Sequence, residues 1–194
     1  MAEFCALSDN IAMECGDDFP LAGVGNIYIA PVRQVDLTST TFSAVSHDIT
    51  AIALKSAGKF IKIEGRVGTK DIVSENVKDG GGNLFNVTGN GVVPNLDKVK
   101  SFVFEKIGNQ KCVIICELYT KTGSNRKAQV IGLDSKMLSD AGATINFGTT
   151  IEAEAGGLNG YNFIFTAAQG ETPRFFTGAI TVEDGSTGTT VNLG

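Results

Sequence analysis

The fold is decided by Pro94-Asn-Leu-Asp-Lys-Val-Lys-Ser-Phe-Val-Phe-Glu-Lys-Ile-Gly108, which is followed closely by the apolar run Lys111-Cys-Val-Ile-Ile-Cys-Glu-Leu-Tyr-Thr120. Apolar residues recur in the first part at spacings of three and four, which is typical of one face of an amphipathic helix. They are Leu96, Val99, Val103 and Ile107, with Phe102 on the same flank. We therefore predict a helix over about residues 95–107, with Asn95 as its N-cap and Asp97 in its first turn.

The apolar run after the helix is too continuous for a strand that is exposed to water on one face. Its β-branched residues favour a central strand, buried on both sides and covered by the helix. Residues 121–126 contain Gly, Ser and Asn and are predicted to form a turn, so that residues 127–133 return as the partner strand. A helix lying across a hairpin is the smallest unit here that buries a core.

The composition indicates a folded, β-rich protein. The chain has 194 residues, of which 42% are hydrophobic and 19% charged, and it has 24 Gly, 4 Pro and no Trp. This length suits one domain, and many glycines with few prolines favour short strands joined by turns. The predicted class is all-β or β-dominated α+β.

Charge and hydropathy exclude several kinds of function. The formal net charge is −5, and the longest basic run is Arg126-Lys127, so binding to duplex DNA through its phosphates is disfavoured. No stretch approaches the roughly 20 apolar residues of a membrane span. The N-terminus lacks a basic region followed by an apolar one, so no signal peptide is predicted and a reducing cytoplasm is the expected compartment.

The chain is divided by composition into an extension, a domain and a tail. Residues 1–20 form an N-terminal extension, 21–182 a single β domain, and 183–194 a flexible polar tail. Residues 65–82 are rich in glycine and charge and end at Gly80-Gly-Gly82, so we predict a long exposed loop there. Residues 143–155 and 159–168 are predicted to form a long hairpin, in which Glu152 and Glu154 share one face.

No arrangement of residues typical of an enzyme or a cofactor site occurs in the sequence. His47 and Asp48 are adjacent, but neighbouring strand residues point to opposite faces and no G-x-S-x-G motif is present. The cysteines lack metal-ligand spacing and are interpreted as small buried residues in a reducing compartment; they are Cys5, Cys15, Cys112 and Cys116. Glu152 and Glu154 supply too few oxygens for a hard cation. We predict no catalytic residue, metal or cofactor.

Five pieces of sequence recur in a recognisable order over roughly residues 14–178. They are Glu14-Cys-Gly-Asp-Asp-Phe-Pro-Leu-Ala-Gly-Val-Gly-Asn-Ile-Tyr-Ile-Ala30, the 59–64 strand with its long loop, the helix and strand 95–120, Val130-Ile-Gly-Leu-Asp134 and Phe175-Phe-Thr-Gly178. This order resembles that of bacteriophage tail tube proteins, particularly a divergent group from phages of Bacteroidetes-type hosts.

The resemblance implies two packed antiparallel sheets with one flanking helix, and rings of six copies stacked into a hollow tube through which DNA is ejected. Copies of the chain and other tail or neck proteins would then be its partners, in the host cytoplasm during assembly and in the virion tail afterwards. Glu152 and Glu154 would face the channel and weakly repel passing DNA. The loop would dock on a neighbouring subunit or ring through Thr69, Lys70, Asp71, Glu75, Lys78 and Asp79.

Two other classes remain open at this point. The first is another ring-forming or decorating virion protein, such as a neck, tail terminator or capsid-decorating protein. Such a protein would have the same pattern of strands and one helix, because proteins with one fold can have different functions. A soluble binding module or an enzyme with an unrecognised site would instead remain monomeric and have a deep pocket with converging polar groups.

Overall fold

The computed structural model describes residues 23–56, 58–65, 69–79, 82–122, 125–136, 141–152, 157, 159–185 and 187–193. Strands dominate, with one α-helix and one 3₁₀ turn, Val32–Gln34, among these residues. The elements are β1 Val24–Pro31, β2 Thr41–Phe42, β3 Asp48–Ala51, β4 Ile61–Ile63, β5 Asp71–Asp79, β6 Gly82–Pro94, α1 Lys98–Gly108, β7 Cys112–Thr122, β8 Asn125–Ile131, β9 Thr144–Ile151, β10 Asn159–Gln169, β11 Arg174–Phe176, β12 Ala179–Val182 and β13 Thr189–Asn192.

The strands form three sheets. The large sheet has the order β2-β3-β11-β8-β7-β1-β4, and the four-stranded sheet has the order β5-β6-β10-β9. A two-stranded sheet pairs β12 with β13. Every pair is antiparallel except β3 with β11. The predicted β-dominated α+β class, with packed antiparallel sheets and one helix, is confirmed.

Two hydrophobic cores lie on opposite faces of the large sheet. On one face Ile114 and Cys116 of β7 pack with Phe163 and Phe165 of the four-stranded sheet. On the other face Val113 and Ile115 pack with the β12–β13 hairpin and the preceding connections. Strand β7 is therefore buried on both sides and lies between β8 and β1, as its continuous apolar sequence predicted.

The helix begins later and faces differently from the prediction. Its N-cap is Asp97, which accepts hydrogen bonds from the backbone of Val99 and Lys100, whereas Asn95 has a φ of 66° and caps nothing. Phe104 and Ile107 are the buried residues, while Val99 and Phe102 are 60% and 56% exposed. The predicted apolar stripe was thus wrong in part. The ring of Phe104 stacks on Tyr161 of β10 at 5.0 Å, and this contact fixes which face of α1 turns inward.

The predicted exposed loop 65–82 is wrong over most of its length, since β5 occupies residues 71–79. Strand β5 pairs with β6 along its whole length, from Asp71 opposite Asn90 to Asp79 opposite Gly82. Lys70 is only 6% exposed, and its ammonium group donates to the carbonyl of Gly25. Residues 66–68 and 80–81 lie outside the described part. Residues 71–79 form a strand despite their charges, because the backbone pairs with β6 while the charged side chains can point away from the core.

The predicted flexible tail 183–194 contains an ordered strand. Strand β13 pairs with β12, and Leu193, 4% exposed, packs in the second core. The amide of Leu193 donates to the carbonyl of Gly178 at 3.0 Å. Val191 and Leu193 alternate along the chain and give this segment an apolar face, although the composition of residues 183–194 is polar overall. The predicted extension 1–20 lies outside the described residues.

Candidate functional site

The candidate functional site is the outer face of the four-stranded sheet. It is the face turned away from the first core, and the strand register places alternate residues of all four strands on it. We define the outer face by Asp71, Val73, Glu75 and Val77 of β5, Leu84, Asn86, Thr88, Asn90 and Val92 of β6, Asn162, Ile164, Thr166 and Ala168 of β10, and Thr144, Asn146, Gly148 and Thr150 of β9.

Amides and hydroxyls are the largest group on this outer face. Four Asn and four Thr lie among its seventeen residues, and the ionisable ones are Asp71 and Glu75. None of the seventeen is Lys or Arg, although the chain has 16 of these. Asn162 donates a 2.6 Å hydrogen bond to the hydroxyl of Thr150, which joins β10 to β9 across the surface. The outer face is polar and neutral to acidic, so it offers phosphate groups no cation to bind.

The two edges of the same sheet are the second feature of the site. Strands β5 and β9 are its outermost strands in the described part of the chain, nine and eight residues long. A long edge strand presents unpaired backbone groups and is a template for pairing with another chain. Ile151, 73% exposed at the end of β9, adds apolar surface beside one edge, and Val73, 51% exposed, does so beside the other.

Three of the residues predicted to face a channel or to dock can be placed relative to the outer face. Asp71 and Glu75 lie on the outer face, and Glu152 is exposed just beyond the end of β9. The predicted loop contained Asp71 and Glu75 and separated them from the acids predicted to face the channel. The strand-like residues Ile72, Val73 and Val77 were the signal that could have corrected this.

The remaining predicted residues do not belong to this surface or cannot be placed. Thr69 is half-buried and Lys70 is buried, and neither is among the residues of the outer face. The backbones of Lys78 and Asp79 belong to β5, but their side chains lie outside the described part. Glu154 also lies outside it.

The side chains of His47, Cys112 and Cys116 are held in the fold by hydrogen bonds or by burial. Nε2 of His47 lies 3.0 Å from the carbonyl of Thr172 and 2.8 Å from its hydroxyl, which ties the β2–β3 connection to the segment before β11. Burial raises the pKa of the Cys112 thiol to about 12 and also raises the pKa of Cys116. Both cysteines are therefore protonated thiols rather than nucleophiles at neutral pH.

Two further features bear on function. Among the described residues, no three His, Cys, Asp or Glu side chains are grouped closely enough to hold a metal ion. In the same part of the chain, no helix has both the length and the apolar character needed to cross a membrane.

Comparison with known proteins provides no family assignment. No protein-family model matches the chain, and no curated protein or solved structure matches it significantly.

Proposed function

We propose that this protein is a structural virion subunit that assembles into stacked rings and forms the tail tube of a bacteriophage. The observation that carries the proposal is the four-stranded sheet, in which two long open edges flank an outer face without Lys or Arg. The resemblance in element order points to the same class of protein.

Ring closure follows from the position of the two edges. In a cyclic ring, strand β9 of one copy pairs with strand β5 of the next copy, so that every copy makes the same two contacts. Such head-to-tail contacts generate a closed ring when the rotation per copy divides a full turn. Closure pairs every edge of the sheet and removes the aggregation hazard of β5 and β9.

The outer face would then line the channel. A duplex sliding through a ring meets amides, hydroxyls and the carboxylates of Asp71 and Glu75, with Glu152 beyond the end of β9. Phosphates find no cation there to bind, so DNA is conducted without being retained. DNA is thus a passing partner, and the lasting partners are other copies and the tail or neck proteins at the ends of the tube.

Two variants test whether copies associate through the β9 edge of the sheet or through its outer face. Ile151→Lys places a charge beside the β9 edge and should prevent copies from associating. Thr166→Lys is the matched control, because Thr166 is exposed on the same sheet but lies on β10, which is paired on both sides. We expect sedimentation to show monomers for the first variant and assemblies for the second. Equal assembly by both variants would contradict pairing through the edge.

A single-layer ring is the second candidate. The edges of the four-stranded sheet account for closure within one layer, and a neck or tail terminator ring would use them in the same way. Open-ended stacks of rings support a tube subunit, whereas assembly that stops at one layer supports a neck, terminator or decorating protein.

A further inference from the structure

A lysine is buried where the four-stranded sheet meets the large sheet. Lys70 is 6% exposed and directly precedes β5 of the four-stranded sheet. Its side chain passes so close to two glycines that an added Cβ would lie 2.9 Å from its Cγ at Gly91 and 3.2 Å from its Cδ at Gly65. Its terminal nitrogen donates to the carbonyl of Gly25 in β1, a strand of the large sheet. The two glycines therefore leave room for the amine to reach from one sheet to the other.

Strand β1 has a bulge at the point that the lysine reaches. Its register against β7 shifts between Val24 and Ile27, as happens where two residues of one strand oppose a single residue of the other. The two residues inside the bulge, Gly25 and Asn26, lie opposite Glu117. The side-chain amide of Asn26 donates to the carboxylate of Glu117 at 2.6 Å. Because Asn26 is bonded to Gly25, the amine of the lysine ends next to the residue that carries this amide.

Tyr28 is a second donor to the same carboxylate. Its side chain is buried, and its hydroxyl lies 3.4 Å from Oε2 of Glu117, the oxygen that also accepts from Asn26. Burial, and after it the charge of Glu117, raises the pKa of Tyr28 to about 12, so this hydroxyl keeps its proton at neutral pH. Glu117 and Asn26 are themselves half-buried. The carboxylate is therefore held against the amide in a place that water reaches only in part.

A buried amine, a carboxamide and a carboxylate are the groups that an isopeptide bond requires. The amine nitrogen attacks the carbonyl carbon of the carboxamide and displaces ammonia, and the carboxylate moves the proton as general base and then general acid. Burial favours the uncharged amine, which is the nucleophilic form. Holding the reacting groups together in the fold replaces an encounter in solution, which lowers the barrier further.

We propose that Lys70 and Asn26 form an intramolecular isopeptide bond, with Glu117 as the general base and acid. Starting from the uncharged amine, Nζ of Lys70 attacks Cγ of Asn26 while Glu117 takes a proton from Nζ. The bond between Cγ and Nδ2 then breaks, and Glu117 returns the proton to Nδ2, which leaves as ammonia. One amide is exchanged for another, so the step consumes no oxidant, reductant or cofactor. Tyr28 is a positioning residue that holds Glu117.

The bond is independent of the proposed ring and has a consequence for the fold. It ties β1 of the large sheet covalently to the segment that precedes β5 of the four-stranded sheet. The link closes a loop over residues 26–70 and, like a disulfide, restricts the unfolded chain. The two sheets of one subunit then stay joined when its edges are pulled.

Mass spectrometry of the full chain, purified and then denatured, tests the bond. We expect a mass lower than that of the sequence by one ammonia molecule. Succinimide formation at Asn-Gly pairs, such as Asn90-Gly91, causes the same loss of mass, so tryptic mapping distinguishes the two. With the bond in place, trypsin should not cleave after Lys70, and Lys70 should be found in a branched peptide that contains Asn26.

Three substitutions test the roles, with circular dichroism to show that each variant is folded. Lys70→Arg and Asn26→Ala each remove a reacting group and should abolish the branched peptide. Glu117→Gln keeps a hydrogen-bond acceptor but cannot take a proton, so it should slow bond formation on the order of a hundred-fold. Glu105→Gln, at an exposed position on α1, is the matched control and should be linked like the wild type. A wild-type chain of full mass that trypsin cleaves after Lys70 would overturn the proposal, as would equal linkage in the Glu117→Gln variant.

Discussion

Glu171 and Arg174 form a two-pronged ion pair, in which Nε and Nη2 of the guanidinium donate to the two carboxylate oxygens, each at 2.8 Å. The backbone and hydroxyl of Ser135 also donate to Glu171, at 2.8 and 3.0 Å. Arg174 donates in addition to the carbonyl of Ser43 at 3.2 Å. Because Ser43 follows β2, Ser135 follows β8 and Glu171 follows β10, this ion pair links the segments that come after these three strands.

Stability should depend on the ionisation of Glu171. Burial alone would raise its pKa, but the hydrogen bonds from Arg174 and Ser135 outweigh burial and lower the pKa to about 2. Because the folded-state pKa lies below the ordinary value of 4.5, the stabilisation is complete above that value and is lost as the pH falls towards 2. Glu171→Gln should lower the free energy of unfolding by about 2 kcal/mol at pH 7.

Urea unfolding at pH 7 and at pH 2.5 checks this. The difference between the wild type and Glu171→Gln should shrink markedly at the lower pH. Glu105→Gln, at an exposed position on α1, is the control and should change little at either pH. A loss of the same size at both pH values would show that the charge of Glu171 is not what stabilises the fold.

Two glycines of the four-stranded sheet should respond in opposite ways to an added methyl group. A Cβ on Gly89 would overlap the ring of Phe165, whereas a Cβ on Gly148 would meet nothing within 4 Å. Gly89→Ala should therefore cost about 1–3 kcal/mol through overpacking of the first core. Gly148→Ala should be neutral or slightly stabilising, since it restricts the unfolded chain. Thermal unfolding compares them, and equal melting temperatures would contradict the packing described for β6 and β10.

The start of α1 depends on Asp97 rather than Asn95. The carboxylate of Asp97 accepts from the backbone of Val99 at 3.2 Å and of Lys100 at 3.4 Å. Asp97→Ala should cost about 1 kcal/mol, and Asp97→Asn clearly less. Asn95→Gly should not destabilise, because Asn95 occupies the left-handed region that glycine adopts readily. Chemical denaturation measures all three, and a larger loss for Asn95→Gly than for Asp97→Ala would show that Asn95 is the residue that matters.

Reversing the charge of Glu152 and Glu154 should change how strongly the assembled protein retains DNA. Glu152→Lys with Glu154→Lys should leave assembly intact but make tubes retain short duplex DNA at low salt, with binding that weakens steeply as salt is added. Glu105→Lys makes the same change on α1, outside the outer face, and should not promote retention. Filter binding measures both variants. Retention that is equal in the two would contradict a channel lined by the outer face.

The sequence predicted best where one physical signal was strong. The unbroken apolar run of β7 required burial on both faces, and that strand lies centrally in the large sheet. The hairpin of β9 and β10 followed from alternation and from glycines at its turn, and the two strands pair from Thr144 with Thr166 to Ile151 with Asn159. In both cases the local pattern and the tertiary contacts favour the same structure.

The sequence predicted poorly where tertiary contacts decide. Strand β5 resembles a loop in composition because Asp71 and Glu75 occupy solvent-facing positions. Its strand-like residues Ile72, Val73 and Val77 are too few to decide for a strand without the pairing with β6. The inward face of α1 is chosen by the stacking of Phe104 on Tyr161, a residue 57 positions further along the chain. The outer face was missed for the same reason, since it exists only once β5, β6, β10 and β9 are in register.

Electron microscopy of the purified protein in negative stain, across a concentration series, tests most directly whether copies pair through the four-stranded sheet around a channel. We expect closed rings at low concentration and open-ended hollow tubes at high concentration, with both absent in Ile151→Lys. A protein that remains monomeric at every concentration would contradict the proposed function.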